Sequence, residues 1–441
     1  MFRAAGAEPN LISAIHLDEL AKIKALLAKN PEYADDYQRT SPLRIAASLG
    51  RLRICNHLIK QHDVDVDDFK RGNGYPIIRD AVGHPNVVKL LIDSGADLKT
   101  RISWRGFQSG IWPIGNDATA LHFAATRSGH HLSVQHLLHA GVDVMAVTAG
   151  NRTALGIAAS HGQLNAARLI LDHSSFKRAS HSHRHAVLNR SLSSAVGSLP
   201  WDSSEEQVEQ VAFLLLEAGA DPNSEIDGQT PLQTTASHIW PNQLERNTSI
   251  RRVIDKIVEH GATLDLYTAV SINDLEAVTR LAGSEKNLNR RYGREWEAQR
   301  TLLEIAVLNG HQEIVQALLK AGCDPNTAGN GKINDFWETA LHTAAGWSRF
   351  DIAQILIQAG ADVKAPNGAK STPLHTAAYA GDLEMVRLLL KSGANALALD
   401  IDGKTARQVA RSSDTNSTRV QKLLAEFEQT LRERQPKSKA M

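Results

Sequence analysis

Aromatic side chains are scarce in this 441-residue sequence, at 5% against a hydrophobic content of 42%. Its interior must therefore be built from Leu, Ile, Val and Ala, residues that suit helix-on-helix packing. Cysteine occurs only at Cys55 and Cys323, far apart in the chain. That spacing argues against a disulfide framework and fits a reducing compartment. No charge of one sign prevails: 49 basic residues face 48 acidic ones, for a net charge of +1. A global field favouring nucleic acid or anionic membrane is excluded, so such binding would need a local patch. No apolar run approaches the roughly eighteen residues of a spanning helix. The opening MFRAAGAEPN turns polar before a signal core can form. A cytoplasmic, monomeric protein with no membrane contact is expected.

Catalytic signatures are missing too. No G-x-S-x-G, H-E-x-x-H, paired C-x-x-C or dinucleotide fingerprint occurs. The run DVDVDDFKRGNG spaces Asp63, Asp65 and Asp67 like a calcium loop, but Asp68 stands where that loop needs Gly and Gly74 where it needs Glu. DGKT at Asp402–Thr405 ends like a phosphate loop, with Ala398 where the first Gly belongs. Both read as turns. HSHRH places His181, His183 and His185 at alternate positions, a pattern that could offer imidazoles to a metal. Its surroundings, SSFKRASHSHRHAVLNRS, are polar and basic with no nearby carboxylate or thiolate, so a solvated loop is the favoured reading. No cofactor and no metal is expected, and the chain is read as non-enzymatic.

What the sequence does have is a period. TPLHTAAYAGDLEMVRLLLKSGA begins at Thr372, and related lettering begins thirty-three residues away on either side, at Thr339 and Thr405. Further copies begin at Ser41, Tyr75, Thr119, Thr153, Thr230 and Thr301. With apolar helical pairs near Leu11, Ala186 and Leu264, about twelve units result. In each, Thr suits an N-cap and a following Pro the first helical position. In the quoted copy Leu374, Ala377 and Ala378 share one face, and Gly381 ends the first helix. The second helix turns Leu383, Met385, Val386, Leu389 and Leu390 inward, and Gly393 closes it. One such pair cannot bury both its faces, whereas stacked pairs can.

The lettering resembles the ankyrin repeat family, with its thirty-three-residue Thr-Pro-Leu-His-x-Ala unit. TALHFAA at Thr119, TALHTAA at Thr339, TPLHTAA at Thr372 and second-helix endings such as LLLEAGADPN carry the resemblance. It implies an all-α solenoid of helix-turn-helix units with hairpin-like outward turns, in which His122, His342 and His375 bond between adjacent turns. The expected solenoid spans 9–433, with an N-terminal cap at 9–37, a first run of repeats at 41–264, a second run at 265–404 and a C-terminal cap at 405–433. A basic disordered tail follows at 434–441. LYTAVS at Leu266 looks like a cap, but one continuous array is favoured over two stacks meeting there. Copies without the cap or the His, at Tyr75, Ala186 and Leu266, are expected to have less well fixed helices or unusual partners.

Residues that break the period need another explanation. Arg101–Asp117 is the largest insertion and carries Trp104, Arg105, Phe107 and Trp112. NRRYGREWEAQR carries Tyr292, Arg294 and Trp296, and GNGKINDFWE carries Phe336 and Trp337. Trp347 and Tyr379 follow the Ala-Ala of their repeats, where the resemblance implies partner-facing positions on the concave side. Aromatics and Arg are the side chains enriched in binding hot spots. A protein or peptide partner, held along the concave groove, is the expected ligand. Self-packing of Trp104 and Trp112 against neighbouring turns is the structural alternative. A functional alternative is nucleic-acid binding by these aromatics with Arg101, Arg105, Arg290, Arg291 and Arg294, which the neutral net charge disfavours. A metal-dependent activity at His181, His183 and His185 is a third reading.

Overall fold

A computed structural model of the protein describes residues 11–34, 41–67, 76–102, 116–199, 205–237, 239, 248–292, 299–329, 337–410 and 415–434. The chain divides into two compact units, residues 1–235 with 249–262 and residues 236–248 with 263–441. The first unit begins with α1 (Leu11–His16), α2 (Leu20–Lys29), α3 (Pro42–Ser48) and α4 (Leu52–His62). A 3₁₀ turn at Ile77–Arg79 precedes α5 (Pro85–Asp93), α6 (Ala120–Ala124) and α7 (His131–His139). Then come α8 (Ala154–Ser160), α9 (Leu164–Asp172), α10 (Ser174–Arg178), α11 (His181–Val196) and α12 (Glu205–Glu217). α13 (Pro231–Ser237) and α14 (Thr248–Glu259) follow, the division between the units falling within α13 after Thr235. The second unit holds α15 (Leu266–Ser271), α16 (Leu275–Ala282) and a two-stranded antiparallel ladder of β1 (Arg291–Tyr292) and β2 (Arg300–Thr301). It continues with α17 (Leu302–Asn309), α18 (Gln312–Ala321), α19 (Ala340–Gly346), α20 (Phe350–Gln358), α21 (Pro373–Ala380), α22 (Leu383–Lys391), α23 (Ala406–Val409) and α24 (Thr415–Arg434). Described residues thus form an all-α repeat structure of twelve helical pairs, the third opening with the 3₁₀ turn.

The quoted unit behaves largely as its letters require. Thr372 has extended backbone and caps α21, Pro373 opens the helix, and Gly381 ends it with φ 75°, a conformation that side-chain-bearing residues resist. Leu374, Ala377 and Ala378 are buried, as are Met385, Val386, Leu389 and Leu390 of α22. Each buried leucine contributes about 1.5–3 kcal/mol relative to exposure. Leu383 is a correction: in the first turn of α22 it is only half-buried, because the inward stripe begins at Met385. The copy at Leu266 is also better fixed than its letters suggest, since Asp265 caps α15 by accepting from Thr268 N at 2.8 Å. Tyr75 lies outside the described residues, and the helix that its copy opens is reduced to the short 3₁₀ turn.

The loop expected around His181, His183 and His185 is helix instead. Ser180 accepts from His183 N at 3.3 Å and starts α11, a sixteen-residue helix whose later turns bury Val187, Leu188, Leu192, Ala195 and Val196. The first turns of α11 take the place of a connecting turn. Elsewhere a turn residue caps the backbone of the next repeat: Asp67 accepts from Asp97 N, Asn289 from Asp324 N and Asn326 from Asp362 N, at 2.7 to 3.1 Å. Here Asn189, inside α11, makes that bond with Asp221 N at 2.8 Å. Both cysteines are buried free thiols, and desolvation pushes Cys55 up to about 12 and Cys323 up to about 11.

Candidate functional site

Four of the partner-binding candidates fall among the described residues: Tyr292, Trp337, Trp347 and Tyr379. Trp104, Arg105, Phe107, Trp112, Arg294, Trp296 and Phe336 lie outside them. Trp337 stands two residues before the cap of α19, Trp347 is that helix's C-cap, and Tyr379 occupies the last turn of α21. These three side chains are 41%, 49% and 52% exposed. Tyr292 differs: it is half-buried, stacks on Tyr267 at 5.1 Å with 14° between the rings, and has the Arg290 guanidinium 4.4 Å from its centroid. Burial pushes its phenol up to about 12.

Backbone bonds tie the turns of consecutive repeats together around these residues. Gly368 N donates to Trp337 O at 3.2 Å, and Ile401 N donates to Ala369 O at 2.8 Å. Leu399 and Ile401, in the last of these turns, are 56% and 66% exposed. Sequence reasoning missed both, because an apolar residue in ALALDIDGKT looks like any buried turn residue until its neighbours are placed. The first and last of three successive bonded turns therefore carry exposed apolar side chains, with Trp347 and Tyr379 at the far ends of the helices that follow.

The third residue after each N-cap is the connector between repeats. At His342, Nδ1 accepts from Thr339 N, so the proton sits on Nε2, which donates to Ser371 O at 3.0 Å, 29 residues on. His375 makes the same pair of bonds with Thr372 N and Lys404 O, and His122 with Thr119 N and Arg152 O. Burial drives His122 and His342 down to about 4, and His375 down as well. All three are neutral donors at pH 7, with both ring nitrogens bonded inside the stack. Arg44 fills this position in its repeat and reaches Asp80 at 2.7 Å. Glu304 fills it in another, accepting from Thr301 N at 2.7 Å. Its carboxyl is pushed up to about 7 by desolvation, against hydrogen bonds from Thr301 and the Gly329 backbone and the attraction of Arg300. Gly329 is there because a Cβ would sit 2.7 Å from Gln299 O and 2.8 Å from a Glu304 oxygen.

Metal chemistry finds no support. His181 and His185 share one face of α11 with ring centroids 4.1 Å apart, whereas the helical period carries His183 away from them. Among the described residues no group of three or more His, Cys, Asp or Glu could hold a metal ion. The described arginines of the nucleic-acid reading bond within the protein: Arg101 Nη1 donates to Val147 O, Arg291 Nε to Ala328 O, and Arg290 covers Tyr292. Among the described residues no helix is long and apolar enough to cross a membrane.

Family models described as ankyrin repeats match residues 83–182, 266–367 and 356–410, together more than half of the chain. The chain belongs to the ankyrin repeat family. A curated relative, the human ankyrin repeat and SOCS box protein 16, is 28% identical over 280 residues, 63% of this chain. The matched stretch spans 51% of that relative's length. The histidine connectors are thus those of the ankyrin unit, while Glu304 and the helical stretch 173–189 are departures from it. Ankyrin repeats are generally protein–protein interaction modules, a non-enzymatic fold.

Proposed function

We propose that this ankyrin repeat protein binds a protein or peptide partner, without catalysis, through the groove side of its last repeats. Trp337, Trp347 and Tyr379 serve as anchors there. The observation that carries the reading is their exposure. A chain with few aromatics places three on consecutive repeats where water reaches them, while Leu, Ile, Val and Ala fill the core. A single aromatic anchor of this kind contributes about 2 kcal/mol or more to binding. The bonded turns and capped helices hold the anchors in place before a partner arrives, so little conformational entropy is lost on association.

The test is capture from cell extract by the wild type and by a Trp337→Ala, Trp347→Ala, Tyr379→Ala triple variant, with melting temperatures measured on both. Partners retained by the wild type and lost by a variant of unchanged stability support the reading. An identical catch from both proteins sinks it.

A further inference from the structure

The helical stretch that replaces a connecting turn leaves a space behind it. α9, α10, α11 and α12 enclose a half-open cavity of about 420 Å³, inside the range of about 300–1,000 Å³ usual for small-ligand sites. One part of its wall is apolar: Leu171, Phe176 and Leu188 are buried and Leu214 is half-buried. Phe176 is there because α10 exists.

Charges stand around this wall. Lys177 Nζ and Asp172 pair at 3.0 Å and largely cancel. Arg184 Nη1 donates to Lys177 O at 2.9 Å, which fixes its guanidinium at the cavity. The Arg168 side chain is exposed and makes neither a hydrogen bond nor an ion pair among the described residues. Against these two arginines stands one further acid, Glu217. The balance favours an anion, and a guanidinium grips carboxylate or phosphate oxygens in pairs. Water against the Leu and Phe wall favours displacement by an apolar group.

We propose that this cavity binds an amphipathic anion: an apolar body that packs on Leu171, Phe176 and Leu214 and ends in a carboxylate or phosphate held by Arg168 and Arg184. The site lies in the first unit and is independent of the aromatic surface in the second.

Calorimetric titration of the full chain tests it with four probes: decanoate, decyl phosphate, decanol and inorganic phosphate. Decanoate or decyl phosphate is expected to saturate one site, the tighter of the two naming the head group. Decanol and inorganic phosphate are expected to bind at least about tenfold more weakly, since each lacks one half of the recognition. Arg168→Glu, at an exposed position, is expected to weaken the anion at least about tenfold with an unchanged melting temperature. Leu214→Trp, which fills the cavity, is expected to abolish binding. The proposal is overturned if neither anion gives saturable heat, if decanol binds as tightly as decanoate, or if Arg168→Glu leaves the affinity unchanged.

Discussion

The connector positions at Glu304 and at His342 are one repeat apart, equally buried, and opposite in chemistry. His342 presents an N–H and meets a carbonyl, Ser371 O. Glu304 presents two acceptor oxygens, and the chain that faces them is the backbone of Gly329, while Gly329 N also bonds Glu338 O within its own turn. One side chain chooses which backbone group the next repeat must turn toward it. The difference also has an electrostatic sign. Burial disfavours the charged form in both cases, so it lowers the histidine's pKa and raises the glutamate's. The histidine junction is weakened by acid, because the unfolded chain binds a proton below about 6.5 and the folded one only near 4. The glutamate junction is weakened by base, because the folded state holds its proton up to about 7 and the unfolded one only to about 4.5.

The largest effect should come from removing the donor. His342→Ala leaves Thr339 N and Ser371 O without their partner and opens a cavity, an expected loss of about 3 kcal/mol in denaturant unfolding at pH 7. A loss under about 1 kcal/mol would mean that the carbonyl finds water and the connector matters little. Gly329→Ala should cost about 2 kcal/mol, because the new methyl meets backbone oxygen at 2.7 Å and the carboxylate cannot retreat. Glu304→Gln keeps the shape and removes the ionisation. Relative to wild type it should stabilise by about 2 kcal/mol at pH 8, with the gain shrinking through neutrality and gone near pH 4.5. A wild-type and variant pair with parallel stability–pH curves would refute the buried charge. Between pH 6.5 and 4 His122, His342 and His375 are forced toward protonation in both proteins, and the variant should lose stability more steeply because the wild type is meanwhile relieved of the Glu304 charge. The smallest effect is expected away from any junction. Trp347→Ala should stay within about 0.5 kcal/mol, whereas Tyr292→Ala, which removes a stacked ring, should cost about 2 kcal/mol.

Most of the repeat could be read from letters because its physics is local. A Thr that caps, a Pro that opens, a His three residues on and a Gly that closes are all decided within one turn of helix. The 173–189 stretch could not be read that way, since its polar, alternating letters carry no apolar period before Ala186. Two signals were available: Ser180 and His183 repeat the spacing of Thr372 and His375, and Phe176 is an aromatic with no reason to sit in a solvated loop. Glu304 was equally visible as the fourth letter of TLLE, but its pairing with Gly329 depends on a turn from the next repeat. The exposure of Trp347 and the self-packing of Tyr292 are likewise decided by neighbours distant in sequence. Composition treats both residues alike.

The forward reach of the connectors bears on how such a chain can be rearranged. His342 and His375 each name a partner by backbone alone, so a unit between two such histidines could be duplicated or deleted and the severed ends would still find matching carbonyls. Glu304 allows no such exchange. Its successor must carry a glycine where Gly329 stands, which makes these two neighbours an inseparable pair within an otherwise interchangeable series.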